Sequence, residues 1–371
     1  MVTSVLVAAA MVVGHPHVQA ALDQAVAKNG APGIAAEVHD GRERWFGSAG
    51  VSDTETGRKR RPQERFRTGS TTKAFTATVV LQLAGEGKLR LDDSVEHWLP
   101  GLVQGNGYDG AQITIRQLLN HTSGIFGYSN DKDFFAKGQG AAWLGHRYDT
   151  YTPEELVKIA LRNPRYFPPG SGFAYSNTNY ILAAMIIEKA TGRTFGDEVT
   201  RRIIRPLRLK GTYLPGTEAK IRGPHPAHYS TLFSQDPNPT IYDASDMNQS
   251  FAWSAGGMVS TVGDLNRFFG ALLGGRLLPA AQQKEMLTTV ETKGGPPWIP
   301  DTRYGLGVFS QKLPCGVTVW GNAGATYGSW TYAMGSRDGT HMLATEINGD
   351  WSGLSVFADV LSAEFCPRGS R

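Results

Sequence analysis

Apolar residues recur at helical spacing near the start of the chain, at Val18, Ala21, Leu22, Ala25 and Val26, and predict an amphipathic helix over about residues 17 to 28. Beyond Gly30-Ala31-Pro32-Gly33 the period changes to two. Ile34 to His39 and Glu43 to Gly47 then read as strands turned at Asp40-Gly41. The far end of the chain mirrors this: Tyr304 to Ser310, Gly316 to Trp320, Ser329 to Gly335 and His341 to Ile347 read as strands. The last two are joined at Arg337-Asp338-Gly339, and a helix over about residues 353 to 365 follows. Between the two ends the periodicity is helical, at Ile115 to Leu119, Pro153 to Arg162, Asn179 to Thr191 and Val262 to Leu273. Two ends that both supply strands predict an α+β protein with one antiparallel sheet. Residues 17–74 and 300–371 would form that sheet with its terminal helices, 75–299 a helix-rich insert, and the cleft between them the site.

One helix departs from the amphipathic rule. Ala74, Phe75, Ala77, Val79, Val80, Leu81, Leu83 and Ala84 cover most of its circumference, which marks a buried helix, and Gly85-Glu86-Gly87 stops it. At its mouth stand Ser70 and Lys73, one helical turn apart and therefore on one face. A serine hydroxyl needs a neighbouring base to attack a carbonyl, and a desolvated lysine is able to serve. Free N–H groups at the helix start favour a developing oxyanion. A Ser-x-x-Lys spacing taken alone more often marks a solvated helix start.

Composition adds little against this. The 371 residues are 40% hydrophobic and 19% charged, with 45 glycines and a net charge of +4, as in an ordinary globular protein. The dense basic run Arg58-Lys59-Arg60-Arg61 reads as a solvated loop, and nucleic-acid binding is not expected. Residues 4–13 resemble the apolar core of a signal peptide but lack a positive flank, so a cytoplasmic location is favoured over secretion. No run is long enough to span a bilayer. Two cysteines, Cys315 and Cys366, leave room for one bridge from a late strand to the C-terminal helix. The nine histidines form no metal-ligand pattern, and neither metal nor cofactor is expected.

Two further segments complete a chemistry. Tyr175-Ser176-Asn177 lies in a turn before a helix, where a phenol and a carboxamide two residues apart can face one cleft; alone, this is a common capping triplet. The phenol would relay a proton between nucleophile and leaving group, and the amide would hold a substrate carbonyl. Val319-Trp320-Gly321-Asn322-Ala323-Gly324-Ala325 would be the opposite wall, with small residues that let substrate approach the backbone and a second oxyanion N–H.

The order Ser70-x-x-Lys73, Tyr175-x-Asn177, Asn322-x-Gly324 resembles the serine penicillin-recognising family: class C β-lactamases, soluble D-Ala-D-Ala carboxypeptidases and related esterases. The resemblance runs over roughly residues 18 to 367 and includes Phe66-Arg67-x-Gly69-Ser70, Leu118-x-x-His121-x-Ser123-Gly124, Ser254-Ala255-Gly256 and the Cys315 and Cys366 pair. It implies a five-stranded antiparallel sheet with flanking helices and an all-α insert. It also implies an acylated Ser70, proton handling by Lys73 and Tyr175, Asn177 on the donor's amide, and oxyanion N–H groups from Ser70 and Ala325. His121 would be structural.

The chain also departs from that family. The soluble carboxypeptidases carry His-Thr-Gly and then threonine where this chain has Asn322, Ala323, Gly324 and Ala325, and Phe309 falls where they place a carboxylate-gripping arginine. Each charge-assisted hydrogen bond is worth roughly 1.5 to 3 kcal/mol, so losing two or more weakens recognition on the order of a hundredfold. The expectation is a serine hydrolase or transacylase that passes the acyl group of an ester or amide lacking that carboxylate to water or an amine, in specialised metabolism. Its partners would be a small-molecule or peptide donor and a nucleophilic acceptor. The alternatives are a D-Ala-D-Ala carboxypeptidase or β-lactamase, and a sensor acylated without turnover.

Overall fold

The computed structural model describes residues 14–234 and 236–366, so the signal-like segment 4–13 lies outside the described residues. Its frame is an antiparallel sheet made from both ends of the chain. The strands are β1 (Gly33–Asp40), β2 (Glu43–Gly50), β3 (Val290–Glu291), β4 (Thr302–Tyr304), β5 (Phe309–Lys312), β6 (Thr318–Thr326), β7 (Ser329–Gly335) and β8 (His341–Ile347). Their order is β2-β1-β8-β7-β6-β5-β4-β3. The first five are the long strands expected, and three short ones extend the edge. Ile34 pairs with Ile347 and Ala36 with Thr345, which joins the two ends of the chain within the sheet.

The stretch Tyr304 to Ser310 is not the single strand that its apolar content suggests. It breaks into β4 and β5, which pair with each other, Tyr304 opposite Phe309. Gly307 makes the break, with φ of +76°, and a Cβ there would meet the Ala77 Cβ at 2.4 Å. Glycine's freedom at positive φ and its missing side chain let this turn pack directly onto the helix that follows Ser70.

Both faces of the sheet are covered. Val18 and Leu22 of α1 (Pro16–Ala27) and Phe357 and Val360 of the C-terminal helix (Ser355–Phe365) pack on Ile34, Val38, Leu343 and Ile347. On the other face lies a larger core around α2 (Thr72–Gly85), α3 (Asn177–Thr191) and α4 (Val262–Leu273). α2 is buried on nearly all sides, as its sequence requires, and Phe75 stacks on Phe268 of α4 at 3.6 Å between ring centroids. The Ser355–Phe365 helix is α5 below. Among the described residues no helix is long and apolar enough to cross a membrane.

The basic run is anchored, against the expectation of a solvated loop. Arg60 is buried, with Nε 2.8 Å from Glu64 and its Nη2 2.5 Å from Glu346 of β8, while Arg58 holds the other Glu64 oxygen at 3.1 Å. A charge run shows composition but not its partners, and Glu346 is far away in sequence. Cys315, in the loop between β5 and β6, is bonded to Cys366 at the end of α5.

Candidate active site

Phe66 and Arg67 pair with Val259 and Ser260 and carry the chain into a single 3₁₀ turn, Gly69–Thr71, from which α2 continues. Ser70 therefore sits on that turn rather than on the α-helix itself, still three residues ahead of Lys73. The turn lies against β6. A Cβ on Gly69 would fall 2.6 Å from the Ala325 nitrogen, and one on Gly324 would fall 2.0 Å from the Thr68 oxygen and 2.7 Å from the Ser70 nitrogen. Backbone thus touches backbone, which brings the N–H groups of Ser70 and Ala325 to one opening. Two such donors are what an oxyanion requires.

Lys73 is fully buried. Its Nζ lies 3.0 Å from Ser70 Oγ and donates to Asn177 Oδ1 at 2.7 Å and to the Ala255 carbonyl at 2.6 Å. The rings of Tyr175 and Tyr180 lie 4.7 and 5.5 Å away. Three acceptors favour the ammonium form and desolvation favours the amine. Desolvation wins, and it holds Lys73 well below the ordinary lysine range.

The Tyr175 hydroxyl donates to Ser70 Oγ at 2.6 Å. Burial pushes this phenol well up from its usual range, so it keeps its proton. Ser70 Oγ is thus bonded by both the Tyr175 hydroxyl and Lys73 Nζ. Trp298, which no motif identified, stacks on Tyr175 at 4.4 Å between ring centroids. Its place comes from the short edge strands, not from any local spacing.

His121 is buried behind this group, with φ of +61°. Its Nδ1 lies 3.2 Å from the Ser176 N–H and 3.3 Å from Asn179 Nδ2, and burial, then the neighbouring Lys73, depress its pKa. It holds the turn that carries Tyr175, a structural part.

The remaining expected residues divide. Asn177 reaches the cleft, yet its carboxamide is engaged, Oδ1 by Lys73 and Nδ2 by Ser129 Oγ at 3.0 Å. One N–H of the carboxamide is left over. Ala325 is exposed and lines the cleft, Ala323 is half-buried, and Gly324 closes on the Ser70 turn. Asn322 does not face substrate. It is 3% exposed, donating to the Gly307 carbonyl at 2.7 Å and accepting from the Ala323 N–H at 2.7 Å, because the turn after β4 leaves that carbonyl to be satisfied. Phe309 is likewise no cleft residue: it is fully buried against Tyr304 and Trp298, with centroids at 6.3 and 6.4 Å.

Ser70, Asn177 and Ala325 open into a cavity of about 280 Å³ walled by Tyr128, Phe134, Trp143, Tyr151, Phe251 and Tyr327. Its volume suits a small molecule with an apolar part. Among the described residues no group of three or more His, Cys, Asp or Glu side chains is placed to hold a metal ion.

The family described as Beta-lactamase matches residues 18–352. A D-stereospecific amidohydrolase from Streptomyces sp. superposes with a TM-score of 0.88 at 49% identity, covering 95% of this chain and 99% of the other. A D-amino acid amidase from Ochrobactrum anthropi gives a TM-score of 0.80 at 26% identity, covering 94% and 97%. Penicillin-binding protein 4* of Bacillus subtilis is 28% identical over 277 residues, 72% of this chain and 57% of that protein. The chain spans little more than half the length of the first curated relatives it matches.

Proposed function

The chain belongs to the beta-lactamase family of serine hydrolases, and from that premise we propose that it cleaves amides or esters of D-configured amino acids that lack a carboxylate on the leaving group. One observation carries this reading: a buried Lys73, held below the ordinary lysine range by desolvation, lies 3.0 Å from Ser70 Oγ beside a strand that offers Ala323 and Ala325 where the soluble carboxypeptidases carry hydroxyls, with Phe309 buried. The likeness to two amidases named for D-substrates supports the amide and its configuration.

In this reading the Ser70 proton passes to Lys73 as Oγ bonds to the carbonyl carbon. The N–H groups of Ser70 and Ala325 hold the oxyanion. The C–N or C–O bond then breaks as Tyr175 gives its proton to the leaving group and regains one from Lys73. Water, or an amine acceptor as a biosynthetic transacylation would use, attacks the acyl-serine by the same steps in reverse.

The test offers D- and L-phenylalanine amide, their methyl esters and a D-Ala-D-Ala peptide, with and without an added amine, and follows products by mass. The D-amide should exceed the D-Ala-D-Ala peptide in kcat/KM by about a hundredfold, the worth of the missing contacts. Brisk, exclusive cleavage of the peptide would overturn the reading and favour a D-Ala-D-Ala carboxypeptidase, the alternative that the likeness to a penicillin-binding protein supports.

A further inference from the structure

The cavity that opens from Ser70 also contains a cation that makes no ion pair among the described residues. Arg147 lines it from the helix-rich side, its guanidinium 5.4 Å from the Trp143 ring centroid and 4.8 Å from that of Tyr148. Its Nε is shielded from solvent and has no acceptor among the described residues. Asp149 is the one carboxylate among the described lining residues; its Oδ2 lies 2.8 Å from His146 Nδ1, and it makes no ion pair with Arg147. Arg116, Arg162 and Arg202, by contrast, each grip a carboxylate. Lys137, exposed at the rim of the same cavity, adds a second positive charge.

A planar guanidinium held by stacking on aromatic rings is preorganised, and a shielded N–H without an acceptor costs free energy that a ligand oxygen recovers. The position matters as much as the charge. Ala325 on the cleft wall offers no group for an anion, whereas Arg147, contributed by the opposite, helix-rich part of the chain, lines the same cavity.

We propose that Arg147 anchors a carboxylate, or a similar anionic group, at the distal end of the acyl part of the donor, so that the preferred acyl group is apolar near the scissile carbonyl and acidic at its tip. This rests on the amide-hydrolase reading for the identity of the acyl part. It reverses the polarity of recognition: the anion sits on the group retained by the enzyme instead of on the group that leaves.

Binding to a Ser70→Ala protein, read by calorimetry, tests it without chemistry. The probes are two pairs, para-carboxy- against para-carbamoyl-D-phenylalanine amide, and D-glutamic acid α-amide against D-glutamine amide. Within each pair size is nearly constant and charge is not. In at least one pair the charged member should bind roughly tenfold tighter or more, the ordinary worth of one charge-assisted hydrogen bond. Arg147→Gln should abolish that ratio and Arg147→Lys should keep part of it. Equal binding within both pairs, no binding by any probe, or a ratio that survives Arg147→Gln overturns the proposal. Should Arg147→Gln fail to fold, the ratio in the Arg147 background must fall as salt is raised, and a constant ratio is equally fatal. Ammonia release from D-phenylalanine amide by the unaltered enzyme is scored separately, so loss of the amidase reading and loss of the anchor are distinct results.

Discussion

Burial acts on both side chains that bond Ser70, lowering the pKa of Lys73 and raising that of Tyr175. The sign for activity follows directly. Lys73 must be unprotonated to accept the Ser70 proton, so acylation falls as acid protonates it, and this limb should lie well below the ordinary lysine value of about 10.4. Stopped-flow release of nitrophenol from an activated ester would locate the limb. In the same assay Lys73→Arg, permanently charged, should slow acylation on the order of a hundredfold to ten-thousandfold, whereas Tyr175→Phe should still give a burst. A Lys73→Arg enzyme of ordinary speed would remove Lys73 as the base. The meeting of Ser70 and Lys73 was legible in the sequence because local helical geometry makes it. Asn322 and Phe309 were misplaced because their surroundings come from the turn at Gly307 and from Trp298, contacts that no spacing along the chain encodes.

Among elements, the long strands and the buried helix α2 were readable from periodicity, while the short edge strands were not. β3 is two residues long and β4 three, too short to display a period of two. The element contact that responds to pH is elsewhere, where α1, β8 and α5 meet. Glu364 of α5 bonds His15 at 2.7 Å, just ahead of α1, and His341 of β8 at 2.6 Å. Burial pulls the His341 pKa down, but the hydrogen bond and charge of Glu364 outweigh it and raise the value. Burial raises that of Glu364, and the two histidines outweigh this and lower it. His341 therefore contributes fully below its unfolded value of about 6.5 and loses its contribution as pH rises through the raised folded value. Glu364 contributes above its unfolded value of about 4.3 and loses its share as pH falls through the lowered folded value. The contact is strongest between those two unfolded values. Urea unfolding should show wild type losing on the order of 1 kcal/mol between pH 6 and pH 8.5 through this contact, and His341→Gln should flatten that difference. An identical pH slope in the variant would exclude the contact as its source.

At the scale of the whole molecule, the union of both chain ends in one sheet was legible, since the strand pattern appears at both ends and a helical pattern lies between. The partner of Arg60 was not, because it depends on how β8 lies over the loop after β2. The Cys315–Cys366 bridge closes a loop across a sequence separation of 51 residues. In the chain-entropy account a loop of that length contributes on the order of 4 kcal/mol. Reduction, or Cys315→Ser, should lower the unfolding free energy by an amount of that order in denaturant titrations, and an unchanged midpoint would show the reduced ends to be held equally well by packing. The pairing of Ile34 with Ile347 has a consequence for how the site comes into being. As the chain is synthesised, β1 and β2 emerge first and wait with an open edge until β8 arrives. Ser70, Lys73 and Tyr175 all precede β6 in the order of synthesis, and the strand bearing Ala325 completes the oxyanion pair only after them. On the proposed mechanism the nucleophile is thus made early and armed late, so an incompletely synthesised chain would carry the serine without the means to use it.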